Sequence, residues 1–139
     1  MDMQSAKTNT YNMERMGNFY EAFAAGDLDK VLSFLAPSVV IHETESLPYG
    51  GDYAGHEGFL DLMGHFNRNW ENMRPVEIKM TAADNMVIAN LLLLATHRQT
   101  GRELAMPLCE VWKLKDGDVV EGHIFYEDTH KVRQICGME

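Results

Sequence analysis

Apolar residues recur at helical spacing early in the chain. Met13, Met16, Phe19, Tyr20 and Phe23 mark one buried face of a helix that starts near Asn12. Gly26 stops it, and Asp27 is suited to cap a second, short helix that buries Leu28, Val31, Leu32 and Leu35 before Pro37 closes it. Residues 1–11 are polar and predict a frayed tail. The period then changes to two. From Ser38 to Glu45, Val39, Ile41, Glu43 and Glu45 share one face of a strand, and Val40, His42 and Thr44 share the other. Leu47 to Gly55 is a turn-rich loop, sharpest at Gly50-Gly51. A third helix, from about His56 to Asn72, buries Phe59, Leu60, Met63 and Phe66, and Pro75 bars its continuation.

The second half of the chain predicts a β-meander with strands at Val76–Ala82, Met86–Arg98, Arg102–Lys115 and Val119–Asp128. The turns fall at Ala83-Asp84-Asn85, Thr100-Gly101 and Asp116-Gly117, and a short helix follows from Thr129 to Gly137. Met86–Arg98 is apolar on both faces, as an interior strand must be. The order predicts an α+β fold: a cone-shaped barrel of a curved, mostly antiparallel sheet packed against three N-terminal helices and enclosing a pocket.

Composition narrows the function classes. With 139 residues, 45% of them apolar and 24% charged, the chain reads as one domain spanning 1–139. A net charge of −9 argues against nucleic acid and anionic membranes as partners and leaves an apolar or cationic small molecule. The N-terminus lacks a secretion signal, and the longest apolar run, Met86 to Ala95, is too short to span a bilayer. Cys109 and Cys136 read as reduced thiols, which points to the cytoplasm.

Candidate chemistry comes from strand parity. A two-residue loop at Thr100-Gly101 sets Leu91 opposite Glu110, Leu93 opposite Leu108 and His97 opposite Leu104. One face then forms an apolar wall through Leu93, Met106, Leu108 and Trp112, with Glu110 at one end and His97 at the other. The next turn leaves two alternatives: a bulged one adds Ile124, Tyr126 and Asp128 to that wall, a plain one His123, Phe125 and Glu127. A carboxyl at Glu43 or Glu110 in such a wall has a raised pKa, suited to moving a proton to or from carbon. Each candidate has a bland counterpart. Glu43 and Glu45 also suit a solvated strand end, and Glu110 an ion pair with Arg98 or Arg102. His97 suits a rim, and Asp128 and Tyr126 suit a helix cap and core filler. His123, Glu127 and His130 are metal-ligand residue types, but parity separates His123 from His130, so no metal is expected.

The element order, with the stretches FYEAFAAGDLDKVLSFLAPSVVIHE, LPYGGDYAGHEGF and WKLKDGDVVEGHIFYEDT, resembles the nuclear transport factor 2-like superfamily. Within it the chain is most similar to SnoaL-like polyketide cyclases and ketosteroid isomerases. The resemblance implies a base at Glu43, a neutral oxyanion donor at Glu110 two residues before Trp112, and Phe19 where ketosteroid isomerases carry a Tyr, with Tyr20 adjacent but directed elsewhere. It also puts the acid/base Asp of the cyclases at Ile124, leaving Asp128 as the only carboxylate a turn further on. The similar limonene epoxide hydrolases need an Asp-Arg-Asp arrangement, whose strand pair falls on Leu91 and Leu93 and whose last Asp falls near Ile124; all three are apolar, which excludes that chemistry.

Two expectations follow. One is a cofactor-independent acid/base enzyme of isomerase, cyclase or dehydratase type, acting on a small, largely apolar carbonyl or polyketide-like compound. Its catalytic candidates are Glu43, Glu110, Asp128 and His97. The other is a non-catalytic protein that holds a hydrophobic ligand in the same pocket. Either would use Phe19, Tyr20, Tyr53, Phe59, Met63, Leu93, Met106, Leu108, Trp112 and Tyr126 as ligand contacts. The outward residues Leu92, Leu94, Cys109 and Val111 predict a homodimer through the outer sheet face.

Overall fold

The computed structural model describes residues 2–138. Helices α1 (Met3–Ala24) and α2 (Leu28–Ser33) precede strands β1 (Leu35–Glu43) and β2 (Gly51–Ala54), and helix α3 (Gly55–Asn69) follows. The meander is β3 (Trp70–Ala83), β4 (Met86–His97), β5 (Glu103–Lys115) and β6 (Asp118–Tyr126), and α4 (Thr129–Ile135) closes the chain. The six strands form one sheet in the order β2-β1-β6-β5-β4-β3. Only the β1–β6 pair is parallel, because α3 and the meander lie between those two strands in the chain. The α+β class expected from the sequence is the one found, with the sheet curved but not closed: β2 and β3 are its free edges.

Several boundaries differ from the expected ones. Residues 3–11, expected as a frayed tail, are helical, while Met1 lies outside the described residues. Asp2 caps the helix by accepting from Ser5 N at 2.8 Å, no Gly or Pro interrupts the stretch, and the buried face beyond Asn12 supplies the nucleus onto which polar turns propagate. The Gly-rich loop contains a strand, β2, whose Tyr53 pairs with Ile41. Helix α3 ends at Asn69, and β3 begins before Pro75. Asn72 and Glu77 adopt positive φ (55° and 53°) at the two register shifts of β3, so this long edge strand bends by bulging.

Register decides what the inner face presents. The β4–β5 loop is four residues long, closed by His97 N donating to Arg102 O at 2.8 Å, so Leu91 opposes Leu108 and Ala89 opposes Glu110. This is a shift of two residues from a two-residue loop, which preserves every side-chain face. At β5–β6 both expected alternatives contribute. Asp116 (φ 52°) and Gly117 (φ 83°) make a plain two-residue turn with Lys115 opposite Asp118. The register then shifts between Lys113 and Leu114, across from Val120, and sets Glu110 opposite Ile124 and Leu108 opposite Tyr126. The core fills the space between this face and the helices, with α1 against β3 and β4 and α3 against β1 and β2. Among the described residues no helix is long and apolar enough to cross a membrane, and Cys109 and Cys136 are both free thiols.

Candidate active site

A cavity of about 60 Å³ lies between the inner sheet face and helices α1 and α3. Its walls are apolar except at Tyr20 of α1, Glu43 of β1, Glu110 of β5 and Tyr126 of β6. At the first, side chains from helix and sheet form a chain of hydrogen bonds. The Trp112 indole N–H donates to the Tyr20 hydroxyl at 2.9 Å, and Tyr20 O–H donates to Glu110 Oε1 at 2.5 Å. Tyr20, expected to point away from the site, is buried and lines the cavity together with Phe19. Burial pushes the Glu110 carboxyl up to about 7, against the lowering effect of the Tyr20 hydrogen bond. The Tyr20 phenol is raised far above its ordinary value by burial and by Glu110 and stays protonated.

Glu43 closes the other side. It ends β1 between Gly51 of β2 and Ile124 of β6, is 5% exposed, and its Oε1 has no hydrogen-bond partner among the described residues. Burial, reinforced by the charge of Glu110, raises its pKa well above the ordinary carboxylate value and favours its neutral form. Glu45 leaves the strand and is exposed. Next to Glu43, the hydroxyls of Tyr126 and Tyr49 lie 2.9 Å apart, and burial raises the pKa of both.

Of the expected ligand contacts, Phe59, Met63, Leu93, Leu108, Trp112 and Tyr126 line the cavity with Phe19 and Tyr20. Met106 is 1% exposed but packs in the core away from the cavity lining. Tyr53 supports the wall from behind, donating to Tyr49 O at 2.8 Å. Two catalytic candidates are elsewhere. His97 is buried at the far end of β4, its Nδ1 3.1 Å from Thr100 Oγ1 and its ring edge-on to Trp70; the extra loop residues carry it away from the carboxyls, and burial and Arg102 lower its pKa. Asp128 is exposed and caps α4, accepting from Lys131 N at 3.1 Å, because β6 ends at Tyr126. Glu127 and His130 are exposed, and His123 faces outward.

Sequence reasoning missed Tyr49, 1% exposed in the loop before β2, whose only signal was an aromatic residue in a Pro/Gly turn. It also missed the cavity mouth. Phe23, Met63, Phe66 and Met73 line both the inner cavity and an open cleft of about 540 Å³ beside Gly26, Leu60 and Arg98. These four side chains therefore stand between the carboxyls and solvent. Met63 and Met73 are unbranched and re-pack at little cost, so they are the adaptable part of that door.

This architecture, a curved open sheet over an N-terminal helical layer, is that of nuclear transport factor 2-like proteins. A nuclear transport factor 2-like protein of unknown function from Burkholderia pseudomallei superposes with a TM-score of 0.85 at 25% identity, over 91% of this chain and 97% of that one. A candidate polyketide cyclase from Xanthomonas campestris gives 0.80 at 22% identity, over 92% and 98%. A protein with a ketosteroid isomerase-like fold from Catenulispora acidiphila, in complex with trimethylamine, gives 0.77 at 13%, over 91% and 94%. Residues 16–122 match the SnoaL-like domain, and the chain belongs to that family. No curated protein sequence matches it significantly.

Proposed function

We propose that the protein is a cofactor-independent acid/base enzyme that enolises a small, largely apolar carbonyl compound, as an isomerase, cyclase or dehydratase. The observation that carries this reading is the Trp112–Tyr20–Glu110 chain sharing one apolar cavity with the buried Glu43 carboxyl. The hydrogen bond from Tyr20 favours the ionised form of Glu110. Glu110 is then the base and Glu43 the neutral acid, the reverse of the roles implied by resemblance. Glu110 takes a proton from the carbon next to the substrate carbonyl, and the C–H electron pair moves into a C=C bond. Charge grows on the carbonyl oxygen, where the Glu43 O–H donates. Return of the proton from Glu110 to a different carbon completes isomerisation; attack of the enolate on a second carbonyl closes a ring, with that proton going to the new alkoxide; and departure of a β-hydroxyl with that proton, as water, completes dehydration.

A second reading, a non-catalytic carrier of a small apolar ligand, draws on the apolar lining and the 60 Å³ size of the closed cavity. Small cyclic β,γ-unsaturated ketones in deuterated water separate the two. The enzyme exchanges the proton α to the carbonyl, seen by NMR, and Glu110→Gln abolishes exchange while binding persists. Binding without exchange in the wild type supports the carrier. We also propose that a second copy of the chain covers the outer sheet face, where Phe125 is 52% exposed beside Cys109, its partner across β5–β6.

A further inference from the structure

At the β2–β1–β6 end of the outer face lies a second cluster of ionisable side chains, on the opposite side of the sheet from the cavity. His42 alternates with Ile41 and Glu43 along β1, and Glu121 and His123 flank Gly122 on β6. Gly122 fixes this parity: a Cβ there would meet the Trp112 ring at 2.5 Å, so its inward side must stay bare while its neighbours face out. His42 and His123 are direct partners in the parallel β1–β6 pair, and their rings stack with centroids 4.3 Å apart and planes 20° apart. Both present Nε2 to the same carboxylate: His42 Nε2 is 2.9 Å from Glu121 Oε2, and His123 Nε2 is 3.5 Å from Glu121 Oε1. One ligand atom from each of the three residues lies within 4.8 Å of the other two, and all three side chains are half-buried.

We propose that His42, Glu121 and His123 form a binding site for a divalent first-row transition metal, with zinc the best fit. Tetrahedral bonds of about 2.0–2.1 Å separate neighbouring ligand atoms by about 3.3 Å. The spacings to the two Glu121 oxygens, 2.9 Å from His42 Nε2 and 3.5 Å from His123 Nε2, lie near that value, and with one atom per residue the set spans no more than 4.8 Å, so side-chain rotation brings the three donors to ligand distance. The remaining nitrogen of His42 is already oriented: Asp52 Oδ1 on β2 lies 2.6 Å from Nδ1. A carboxylate in that position fixes the ring and turns the Nε2 lone pair toward a metal. Two imidazoles and one carboxylate suit zinc, cobalt, nickel or copper, whereas magnesium and calcium require mostly oxygen. Lys113 Nζ, 3.3 Å from Glu121 Oε1 and half exposed, is the cation that now balances this carboxylate, and its flexible stem can yield the place. The ion would join β1 to β6, with β2 held through Asp52, and would leave one coordination position to water. It takes no part in the proton transfer proposed on the inner face.

Isothermal titration of the metal-stripped protein with zinc chloride tests this, together with cobalt(II) absorption in the visible. The expected result is one ion per chain with micromolar affinity and a tetrahedral cobalt spectrum. His123→Ala, at a surface position that tolerates the change, and Glu121→Gln should each weaken binding at least about tenfold, and Asp52→Asn to a smaller extent. His130→Gln, on exposed α4, should change nothing. Absence of zinc binding by the wild type, or binding that survives both His123→Ala and Glu121→Gln, would overturn the assignment.

Discussion

Tyr20 and Glu110 meet at 2.5 Å although ninety positions apart in sequence, one on α1 and the other on β5. The indole N–H of Trp112 occupies the acceptor side of the Tyr20 hydroxyl and so directs its proton to the carboxylate. Phenylalanine at Tyr20 removes that proton and leaves the indole unpaired. Since the hydrogen bond lowers the Glu110 pKa, its loss raises it. The acidic limb of the rate–pH profile should therefore move to higher pH, with a fall in kcat of about 10–100-fold and a stability loss of about 1–3 kcal/mol. An unmoved limb would remove Tyr20 from the mechanism.

Glu43→Gln tests the neutral acid. Glutamine matches the shape of a protonated carboxyl, so the fold should tolerate it and gain stability at alkaline pH, where native Glu43 resists ionisation. Turnover should fall by about 10²–10⁴-fold with ligand affinity nearly unchanged, a split visible in kcat against Kd.

The pH dependence of stability has a definite sign. The folded Glu110 pKa, about 7, lies above its ordinary 4.5, so between these values the native state binds more protons than the unfolded one. Its contribution is fully present below about pH 4.5 and is lost as pH rises through 7. The difference is of order 3 kcal/mol, and Glu43 adds to it in the same direction. Urea denaturation from pH 5 to pH 8 should show the decline, and Glu110→Gln should flatten it.

Ring-sized ligands exceed the 60 Å³ cavity, so Met63 and Met73 must move for them to enter. Alanine at Met73 widens the mouth. Association of a two-ring aromatic ketone should accelerate several-fold in stopped-flow fluorescence, at a stability cost of about 1–3 kcal/mol. Equal rates in variant and wild type would place the entrance elsewhere.

Covering of the outer face by a second copy predicts a dimer in sedimentation velocity. Phe125→Glu puts a charge on the apolar surface and should shift the protein to monomer without unfolding it, since Phe125 is exposed in the single chain. A wild-type monomer at micromolar concentration would end this proposal.

The sequence determined what depends on period and parity. Alternation puts Glu43 on one strand face with Ile41 and Glu110 on one with Leu108 and Trp112, while the choice of Glu43's face as the inner one rests on the family resemblance. That reading survived a wrong loop length, because a two-residue slip leaves every side chain on its own face. The α+β order and the caps at Asp27 and Asp2 are likewise local matters of spacing and hydrogen-bonding chemistry, although the polar stretch after Asp2 carries no apolar period to mark its helix. Tertiary structure decided everything that couples distant segments. The register shift opposite Val120 set Tyr126 and Ile124 on the wall after a turn that by itself implied the other face. The four-residue loop held His97 away, and the early end of β6 turned Asp128 into a cap. The Tyr20–Glu110 bond, the Tyr49–Tyr126 pair and the meeting of His42 with His123 arise from helix docking and from a parallel strand pairing. Such contacts join residues separated by long stretches of chain, and no local pattern of apolar and polar positions encodes the distance between them.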